Sequence, residues 1–359
     1  MQLLRDFYRN RKVLVTGHTG FKGSWLTLWL HDMGAKVSGL ALEPRTADDL
    51  FVVARIGSVL EADYREDIRD TDGVIRVLCK EQPEIVFHLA AQPLVSEGYA
   101  DPVGTCATNV MGSVNILESA RHCPSLKAVV MVTSDKCYEN REQSEGYKES
   151  DPMGGYDPYS ASKGAAELLI SAYRRSFFSK TTDAAVASVR AGNVIGGGDR
   201  ADNRIIPDCV RAFASGRPVE LRNPGSTRPW QHVLEPLGGY LLLAMKMFGN
   251  RDYYSTAWNF GPREKENRRV IDLVEAFIAG YGSGSVRITN AGLPHEAVLL
   301  SLDITRAREM LGWKPLLDFR ETVTMTADWY RRSLNEDPLS LCLQQIKNYS
   351  ERWNSLKEG

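Results

Sequence analysis

Two short runs of polar residues could carry acid–base chemistry in this chain. Ser134, Asp135 and Lys136 follow directly after an apolar stretch, and Tyr159 and Lys163 open a helix-like segment. A spacing of four residues places the phenol and the ammonium on one helical face. A phenol titrates near pH ~10, and a neighbouring ammonium stabilises its anion and lowers its pKa. Such a pair can accept the proton of a hydroxyl while a nicotinamide accepts hydride.

Asp135 and Lys136 supply a second acid and base that simple alcohol oxidation does not need. The pattern therefore predicts an oxidation followed by a further acid–base step. Ser134 ends the predicted strand, where its hydroxyl can hydrogen-bond the oxygen being oxidised. The alternatives are a strand-end serine that forms a turn and a surface ion pair of little energetic weight.

Spacing alone does not identify the tyrosine–lysine pair, because Tyr8 and Lys12 have the same spacing. That second pair precedes the first predicted strand, where no cofactor is within reach. Tyr159 and Lys163 follow the fifth predicted strand, at the edge where a doubly wound sheet opens its crevice. Position therefore favours Tyr159 and Lys163 as the catalytic pair, with an ordinary surface helix as the alternative.

Apolar runs alternate with helix-compatible segments through the first half of the chain. This alternation predicts right-handed crossovers and a Rossmann-type, doubly wound parallel sheet in an α/β fold. The predicted strands are 13–15, 36–42, 58–62, 85–89, 128–132 and 184–189, and the predicted helices are near 22–33, 70–81, 105–121 and 159–178.

The second half of the chain is less regular and richer in glycine and proline. Helical signals return near 270–280, 303–311 and 318–335. We therefore predict a dinucleotide-binding domain over 1–189 and a smaller mixed α/β substrate-binding lobe over 190–359. The boundary is soft, since segments of the second part can cross back into the first.

A glycine-rich run lies between the first predicted strand and the first predicted helix. Glycines at such a junction let the backbone approach a pyrophosphate beside a helix N-terminus. The position predicts dinucleotide binding, with an ordinary tight turn as the alternative. The predicted phosphate loop consists of Gly17, His18, Thr19, Gly20, Phe21, Lys22 and Gly23.

These residues do not decide between NAD and NADP. An acidic residue about 20 positions after the loop would bind the adenosine ribose of NAD, yet the end of the second predicted strand is apolar. Glu43 can take that role, whereas Arg45 suits a 2′-phosphate equally well. Asp67 and Ile68 are predicted to contact adenine, with a solvated loop aspartate as the alternative.

Composition and charge argue against several other classes of function. The chain has 44 Lys and Arg against 45 Asp and Glu, a balance that supports neither nucleic-acid binding nor a polybasic membrane anchor. No apolar run approaches the roughly 18 residues of a membrane helix, and the N-terminus is too polar for a signal peptide. Six scattered cysteines fit free thiols in the cytoplasm, and six histidines without metal spacing predict no metal site.

Over nearly its full length the chain resembles the extended short-chain dehydrogenases/reductases. Within that family it is most similar to the nucleotide-sugar 4,6-dehydratases, through residues 133–138 and 191–199. The other runs that carry the resemblance are 15–23, 67–70, 87–92, 108–110, 159–163, 190–193 and 311–315. The resemblance implies NAD as the cofactor, with contacts from the phosphate loop, Asp67, Ile68, Leu89, Ala90, Ala91, Gln92, Thr108, Val132, Tyr159 and Lys163.

The resemblance implies dehydration of CDP-glucose, and the cytidine preference rests on it alone. Tyr159 takes the 4-hydroxyl proton while C4 passes hydride to NAD. The ketone acidifies C5, water leaves across C5–C6, and hydride returns to C6 to give a 4-keto-6-deoxy sugar. By position Asp135 is the acid and Lys136 the base, where many relatives have aspartate and glutamate. A close Asp–Lys contact favours both charged forms, so a cationic Lys136 that stabilises the enolate is the alternative.

A sugar nucleotide is expected to lie against the irregular second half of the chain. Arginine forks suit a diphosphate, and Arg228 matches the position that contacts phosphate in the family. The predicted substrate contacts are Ser134, Asn193, Arg204, Arg228, His232 and His295.

Two other functions would use part of the same residue set. A nucleotide-sugar 4-epimerase shares Tyr159 and Lys163 but does not need Asp135 and Lys136. A non-catalytic dinucleotide-binding protein would not need the intact set that includes Ser134. The resemblance also implies a homodimer through a four-helix bundle of the predicted helices near 105–121 and 159–178, and a role in deoxysugar synthesis for O-antigen lipopolysaccharide.

Overall fold

The centre of the protein is a seven-stranded parallel sheet. A computed structural model describes residues 1–179, 182–263, 267–289 and 299–355. The strands are β1 (Lys12–Thr16), β2 (Lys36–Ala41), β3 (Ala62–Arg65), β4 (Ile85–His88), β5 (Ala128–Val132), β6 (Ala185–Ala191) and β11 (Ala257–Phe260). Their order is β3-β2-β1-β4-β5-β6-β11, and every neighbouring pair is parallel. The chain reverses direction across the sheet between β1 and β4, which confirms the predicted doubly wound α/β fold.

Helices cover both faces of this sheet. Successive side chains of a strand point to opposite faces. Leu14 and Val129 therefore pack on one face, and Val13 and Val130 pack on the other. The helices are α1 (Gln2–Tyr8), α2 (Phe21–Asp32), α3 (Leu50–Val53), α4 (Thr71–Glu81), α5 (Val95–Ala100), α6 (Pro102–Cys106), α7 (Gly112–Arg121), α8 (Pro158–Tyr173), α9 (Ile205–Ala214), α10 (Leu234–Gly249), α11 (Arg251–Tyr254), α12 (Val270–Tyr281), α13 (Phe319–Arg332) and α14 (Pro338–Ser355).

One predicted strand is misplaced. The prediction of a strand over 58–62 meets the observed β3 only at Ala62, because residues Ile56–Val59 form a 3-10 turn. Ile56 is fully buried in the core, so this apolar segment packs as a turn before the strand begins. Apolar character alone did not distinguish the turn from the strand.

The second half of the chain completes the main sheet. Strand β11 pairs with β6, and α10 contacts β5 and β6. The other strands form three short pairs, β7 (Val194–Ile195) with β10 (Gln231–His232), β8 (Val219–Leu221) with β13 (Val286–Ile288), and β9 (Thr227–Arg228) with β12 (Arg268–Arg269). The division of the chain at 189/190 stays a prediction.

Glu235 joins α10 to the C-terminal part of the chain. Its buried carboxylate accepts the backbone N–H of Leu316 at 2.9 Å, the N–H of Leu317 at 2.6 Å and the hydroxyl of Tyr349 at 2.9 Å. Burial raises the pKa of Glu235 to about 7, although these hydrogen bonds oppose the rise. The folded protein therefore binds a proton here more tightly than the unfolded chain does.

This carboxyl predicts a pH-dependent stability. Because its pKa is raised, the protonated carboxyl stabilises the folded state fully at pH values below its pKa in the unfolded chain. This stabilisation is lost as the pH rises through about 7. Between pH 5 and pH 8, we expect the wild type to lose about 2–3 kcal/mol more unfolding free energy than Glu235→Gln, which cannot ionise. Urea unfolding of both proteins at the two pH values measures the difference. Equal losses in the two proteins would contradict the assignment.

Candidate active site

The segment after β5 carries the predicted acid–base residues to the carboxyl edge of the sheet. Ser134 is extended and begins a 3-10 turn over Asp135–Cys137. Its Oγ accepts the backbone N–H of Lys136 at 3.2 Å and donates to Oδ1 of Asp135 at 3.0 Å. The serine thus caps the turn, and it also fixes the carboxyl group of Asp135.

Asp135 has the surroundings of a general acid. The residue is 3 % exposed, and burial raises the pKa of its carboxyl against the opposing charges of Lys136 and Arg228. Its Oδ2 is buried and has no hydrogen-bond partner among the described residues. One oxygen of a carboxyl that favours protonation is therefore free to act on a ligand.

Tyr159 and Lys163 lie on the first turns of α8. This helix begins at Pro158, and Oδ1 of Asp157 caps it by accepting the N–H of Ser160 at 3.0 Å. Burial raises the pKa of Tyr159 to about 12, against a hydrogen bond with Ser134. The sequence predicted that a neighbouring ammonium lowers the pKa of this phenol. The pKa is raised instead, because loss of hydration outweighs the charges around the phenol. Burial also lowers the pKa of Lys163 to about 8.

Three further cations converge on Asp135 and Tyr159. Lys22 reaches the site from the first turn of α2, and burial, the charge of Arg204 and other neighbours lower its pKa to about 8. Arg204 pairs with Asp199 at 3.0 Å, and the charge of Asp199 raises the pKa of Arg204. Arg228 is buried close enough for its charge to lower the pKa of Asp135. The sequence did not indicate that Lys22 approaches the acid.

Gly192 and Asn193 follow β6 beside the acid. A Cβ on Gly192 would lie 2.6 Å from Cγ of Pro229 and 3.3 Å from Oδ2 of Asp135, so this close approach requires glycine. Asn193 is half-buried, and its Oδ1 has no hydrogen-bond partner in the described part of the chain. This position agrees with a side chain that faces substrate, a role that stays a prediction.

Of the two histidines predicted to contact substrate, the structure describes only His232. His232 is fully buried, its ring lies 6.1 Å from that of Trp25, and burial lowers its pKa to about 3. Its Nε2 is buried and has no hydrogen-bond partner among the described residues, and the substrate contact of His232 stays a prediction. His295 lies outside the described residues.

The phosphate loop packs closely against the end of β4. Gly17 has φ +73°, and a Cβ at this position would lie 2.6 Å from the backbone N of Ala90. Gly20 precedes α2, and no side chain caps this helix. The first turn of α2 therefore presents backbone N–H groups and the positive end of the helix dipole, which fits a dinucleotide pyrophosphate.

A polar cluster near the end of β2 was missed by sequence reasoning. Nε2 of His18 lies 2.8 Å from Oδ1 of Asp63, and Arg65 bonds Oδ2 of the same carboxylate at 2.7 Å. Arg65 also lies 3.3 Å from Glu43, the residue proposed for the ribose. A Cβ on Gly39 would overlap the His18 ring at 2.5 Å. This fit depends on three separate elements, so no local pattern revealed it.

Apart from Thr108, which lies in the helical segment Ala107–Met111, the remaining predicted cofactor contacts lie at or near the ends of β3, β4 and β5. Asp67 pairs with Arg69 at 2.6 Å, and Ile68 is buried. Oδ1 of Asn109 accepts the backbone N–H of Gln92, and Nδ2 of Asn109 donates to the backbone oxygen of Gln92 and to the hydroxyl of Ser162. Asn109 thus ties the end of β4 to α8. The partly accessible members of this set are Asp67, Leu89, Ala90, Ala91, Gln92, Thr108 and Val132.

A buried ion pair holds both ends of the segment that carries Ser134 and Asp135. Arg190 forms two bonds to Glu167, at 2.9 and 2.8 Å, and both side chains are at most 4 % exposed. Glu167 also accepts the hydroxyl of Thr133 at 2.5 Å, and Arg190 donates to the hydroxyl of Tyr138 at 2.7 Å. The pair therefore sets the position of the catalytic turn.

Removing one member of this pair is expected to destabilise the protein strongly. Arg190→Met leaves the carboxylate of Glu167 buried without its partner, which lowers the unfolding free energy by about 3–5 kcal/mol. Glu167→Gln combined with Arg190→Met removes both charges and should lose clearly less. Urea unfolding measures both variants, and equal losses would show that the uncompensated charge is not the cause.

The described part of the chain holds neither a metal-binding cluster nor a membrane-spanning helix. It contains no group of three or more His, Cys, Asp or Glu side chains suited to a metal ion. None of its helices is both long and apolar enough to cross a membrane.

Comparison with known proteins agrees with this geometry. Residues 14–326 match the family model described as GDP-mannose 4,6 dehydratase. The chain is 46% identical to the CDP-glucose 4,6-dehydratase of Salmonella typhimurium, over 96% of this chain and 98% of that protein. It is 28% identical to the UDP-glucose 4-epimerase of Mycolicibacterium smegmatis, over 89% and 98% of the two chains.

Solved structures show the same fold. A dTDP-glucose 4,6-dehydratase from Bacillus anthracis in complex with NAD superposes with a TM-score of 0.76 at 21% identity, over 92% of this chain and 99% of that one. A Thermus thermophilus UDP-glucose 4-epimerase in complex with NAD gives 0.76 at 25% identity, over 89% and 99%. The match of the family model over residues 14–326 and the 46% identity to a relative over 96% of the chain show that the chain belongs to the GDP-mannose 4,6 dehydratase family of extended short-chain dehydrogenases/reductases.

Proposed function

We propose that this protein uses bound NAD to convert CDP-glucose to CDP-4-keto-6-deoxyglucose. The observation that carries the proposal is the carboxyl group of Asp135, which is buried close enough to Tyr159 for the two groups to influence each other. Its pKa is raised, and its Oδ2 has no hydrogen-bond partner among the described residues. An enzyme that only oxidises and reduces C4 has no use for this acid. The 46% identity to a CDP-glucose 4,6-dehydratase supports the choice of substrate.

The first step is oxidation at C4. The phosphate loop and the accessible residues at the ends of β4 and β5 would hold NAD, which when bound would supply the hydride acceptor for C4 and the hydride donor for C6. Tyr159 accepts the proton of the 4-hydroxyl as a phenolate, and Ser134 orients the reacting oxygen. The buried ammonium of Lys163 stabilises the phenolate, since both groups lie on one face of α8.

The second step is elimination of water across C5 and C6. The new ketone acidifies the hydrogen on C5, and Asp135 delivers its proton from Oδ2 to the departing 6-hydroxyl. Lys136 follows Asp135 in the turn and is partly exposed, and we assign it the removal of the C5 proton and the return of a proton to C5 when hydride reaches C6. A cationic Lys136 that stabilises the enolate is the second possibility.

The cations around the site suit the diphosphate of a sugar nucleotide. Arg204 and Arg228 belong to the second half of the chain, and both approach Asp135 or Tyr159. Guanidinium groups bind phosphate through paired hydrogen bonds. We assign these two arginines to the substrate and Asn193 to the sugar.

A 4-epimerase is the second candidate, because relatives with that activity share the fold and the glycine loop. The discriminating experiment incubates the protein with NAD and CDP-glucose in deuterated water, with UDP-, dTDP- and GDP-glucose in parallel. The dehydratase gives a 4-keto-6-deoxy product with deuterium at C5, from CDP-glucose alone. Formation of a 4-epimer without loss of water would overturn the proposal.

We further propose a homodimer through a four-helix bundle. Apolar side chains are exposed in the helical segments 102–121 and 158–173, which would form this bundle. Val103 is 78 %, Met111 53 % and Leu168 61 % exposed. A second copy related by a twofold axis would bury the same patch on both chains. Leu168→Glu should then halve the particle mass, whereas Leu334→Glu, at a leucine elsewhere that is 71 % exposed, should not. Light scattering after gel filtration measures the mass, and an unchanged mass in both variants would contradict this interface.

The cellular setting is also a proposal. All six cysteines are free thiols, which fits a reducing cytoplasm. A 4-keto-6-deoxy sugar nucleotide is a precursor for deoxysugars of bacterial surface polysaccharides, so we place the enzyme in O-antigen lipopolysaccharide biosynthesis.

A further inference from the structure

Asp199 is a buried carboxylate that the proposed reaction does not use. It is 4 % exposed and lies in the segment 196–204, which joins β7 to α9. Its Oδ2 accepts a hydrogen bond from Nη1 of Arg204 at 3.0 Å, and its Oδ1 accepts the backbone N–H of Ala201 at 3.1 Å. Both oxygens of the carboxylate therefore have partners within the same short segment.

Two neighbouring helices fix the backbone at Asp199. Its backbone oxygen accepts the hydroxyl of Tyr330 from α13 at 2.7 Å. Two residues earlier, Nε1 of Trp25 in α2 donates to the backbone oxygen of Gly197 at 2.9 Å. A Cβ on Gly197 would overlap the ring of Trp329, so the backbone packs directly on that indole. The carboxylate is thus attached to a part of the chain that is held from two sides.

The other end of the segment lies beside Tyr159. Nδ2 of Asn203 donates to Oγ of Ser96 in α5 at 3.4 Å. Helix α5 packs on the start of α8, where a Cβ on Gly98 would lie 3.0 Å from Cβ of Tyr159. Arg204, the next residue after Asn203, is therefore held between Asp199 and the catalytic end of α8.

Arg204 keeps hydrogen-bond donors for a ligand. A guanidinium carries five N–H donors in a planar fork, and Asp199 occupies Nη1. The guanidinium has no second hydrogen-bond partner within the described residues, and its side chain is 34 % exposed, against 6 % for Asp199. The edge formed by Nε and Nη2 is the one that binds a phosphate through paired hydrogen bonds.

The carboxylate of Asp199 also offsets repulsion between cations. Burial and the charge of Arg204 lower the pKa of Lys22, whereas the charges of Asp135 and Asp199 raise it. Without Asp199, the repulsion from Lys22 and the rotamer freedom of a long side chain would both favour turning Arg204 into solvent.

We propose that Asp199 is a positioning residue, which holds Arg204 by Nη1 so that Nε and Nη2 bind the diphosphate of the sugar nucleotide; this deepens the proposed function and rests on it. The arginine is then ordered when the protein folds, and binding does not have to supply the cost of ordering it. The diphosphate is unchanged in the reaction, so Asp199 contributes equally to binding of the ground state and of the transition state. Its loss should therefore raise KM and leave kcat nearly unchanged.

The test measures the Kd of CDP by titration calorimetry, and KM and kcat for CDP-glucose, in Asp199→Asn. The amide keeps the size of the side chain and the acceptor for Ala201, but its NH₂ group then faces Arg204. We expect the Kd of CDP and the KM of CDP-glucose to rise about tenfold, with kcat changed by less than about twofold. The Kd of NAD should stay the same. Asp32→Asn removes an ion pair with Arg5 at the far end of α2 and should change none of these values.

Arg204→Met decides whether Asp199 acts through the arginine. In this background, Asp199→Asn should have no further effect on the Kd of CDP. Tyr330→Phe loosens the same segment and keeps the carboxylate, so it should weaken CDP binding clearly less than Asp199→Asn does. The inference is wrong if Asp199→Asn leaves the Kd of CDP unchanged, if it weakens binding equally in both backgrounds, or if Tyr330→Phe matches it.

A second variant and the choice of CDP as the probe keep the test decisive. Should Asp199→Asn fail to fold, Asp199→Ser keeps a short acceptor for the N–H of Ala201, removes the carboxylate and should weaken CDP binding by the same factor. If the wild type binds CDP and gives no 4-keto-6-deoxy product, the proposed function alone fails, and the Kd values still decide the role of Asp199.

Discussion

Tyr159→Phe is expected to lower the turnover of CDP-glucose by about 10²–10⁴-fold, the usual contribution of a positioned acid–base group. Phenylalanine keeps the ring that is buried at the start of α8 and removes only the oxygen that accepts the 4-hydroxyl proton. Because oxidation at C4 is the first step, NADH should fail to form in a single turnover. Stopped-flow absorbance of NADH and product analysis measure the two effects.

The chain provides a matched control in Tyr8, which has a lysine at the same spacing. Its hydroxyl donates to the backbone oxygen of Leu241 at 2.8 Å and is fully buried. Tyr8→Phe should lower the unfolding free energy by about 1 kcal/mol and leave kcat unchanged. If Tyr159→Phe keeps more than a tenth of the wild-type turnover, Tyr159 is not the base.

The ionisations of Lys163 and Tyr159 have opposite effects on how the turnover of the wild type depends on pH. The pKa of Lys163 is lowered to about 8, so its ammonium is lost as the pH rises through that value. A neutral amine no longer stabilises the phenolate, whereas the phenol itself ionises more readily at high pH. The two effects oppose each other, so loss of the Tyr159 hydroxyl is the more direct test of the pair.

The sequence was sufficient for six of the seven strands of the sheet and for the edge at which the candidate catalytic residues lie, whereas β11 was not predicted. Strand–helix alternation is a local signal, and it predicted six of the strands in the main sheet, with β3 displaced. Since the carboxyl ends of parallel strands meet at one edge, residues after β5 and at the start of α8 had to lie together. The structure brings Ser134 and Asp135 to Tyr159 for this reason.

The features that escaped sequence reasoning depend on contacts between distant segments. Lys22 approaches Asp135 only because the first turn of α2 faces the carboxyl edge. The His18–Asp63 contact joins the phosphate loop to β3. The pKa of Tyr159 rises because burial outweighs the charges nearby, a balance that residue spacing does not contain.

Asp135→Asn is expected to stop the reaction after its first step. The amide matches the carboxyl in shape and can accept the hydrogen bond from Ser134, yet it cannot transfer a proton to the 6-hydroxyl. We expect the formation of 4-keto-6-deoxy product to fall by about 10²–10⁴-fold. Oxidation at C4 does not require the acid, so NADH should accumulate on the enzyme to nearly one equivalent.

Accumulated NADH in Asp135→Asn would separate the two halves of the reaction. Asp318→Asn serves as the control, because Asp318 caps α13 far along the chain and asparagine caps a helix equally well. Loss of both NADH and product in Asp135→Asn would place Asp135 in the oxidation step. Near-normal product would remove the acid role and with it the main argument against an epimerase. Only NADH without product requires that elimination depend on Asp135, whose Oδ2 is the one carboxyl oxygen among the described residues that is buried without a hydrogen-bond partner.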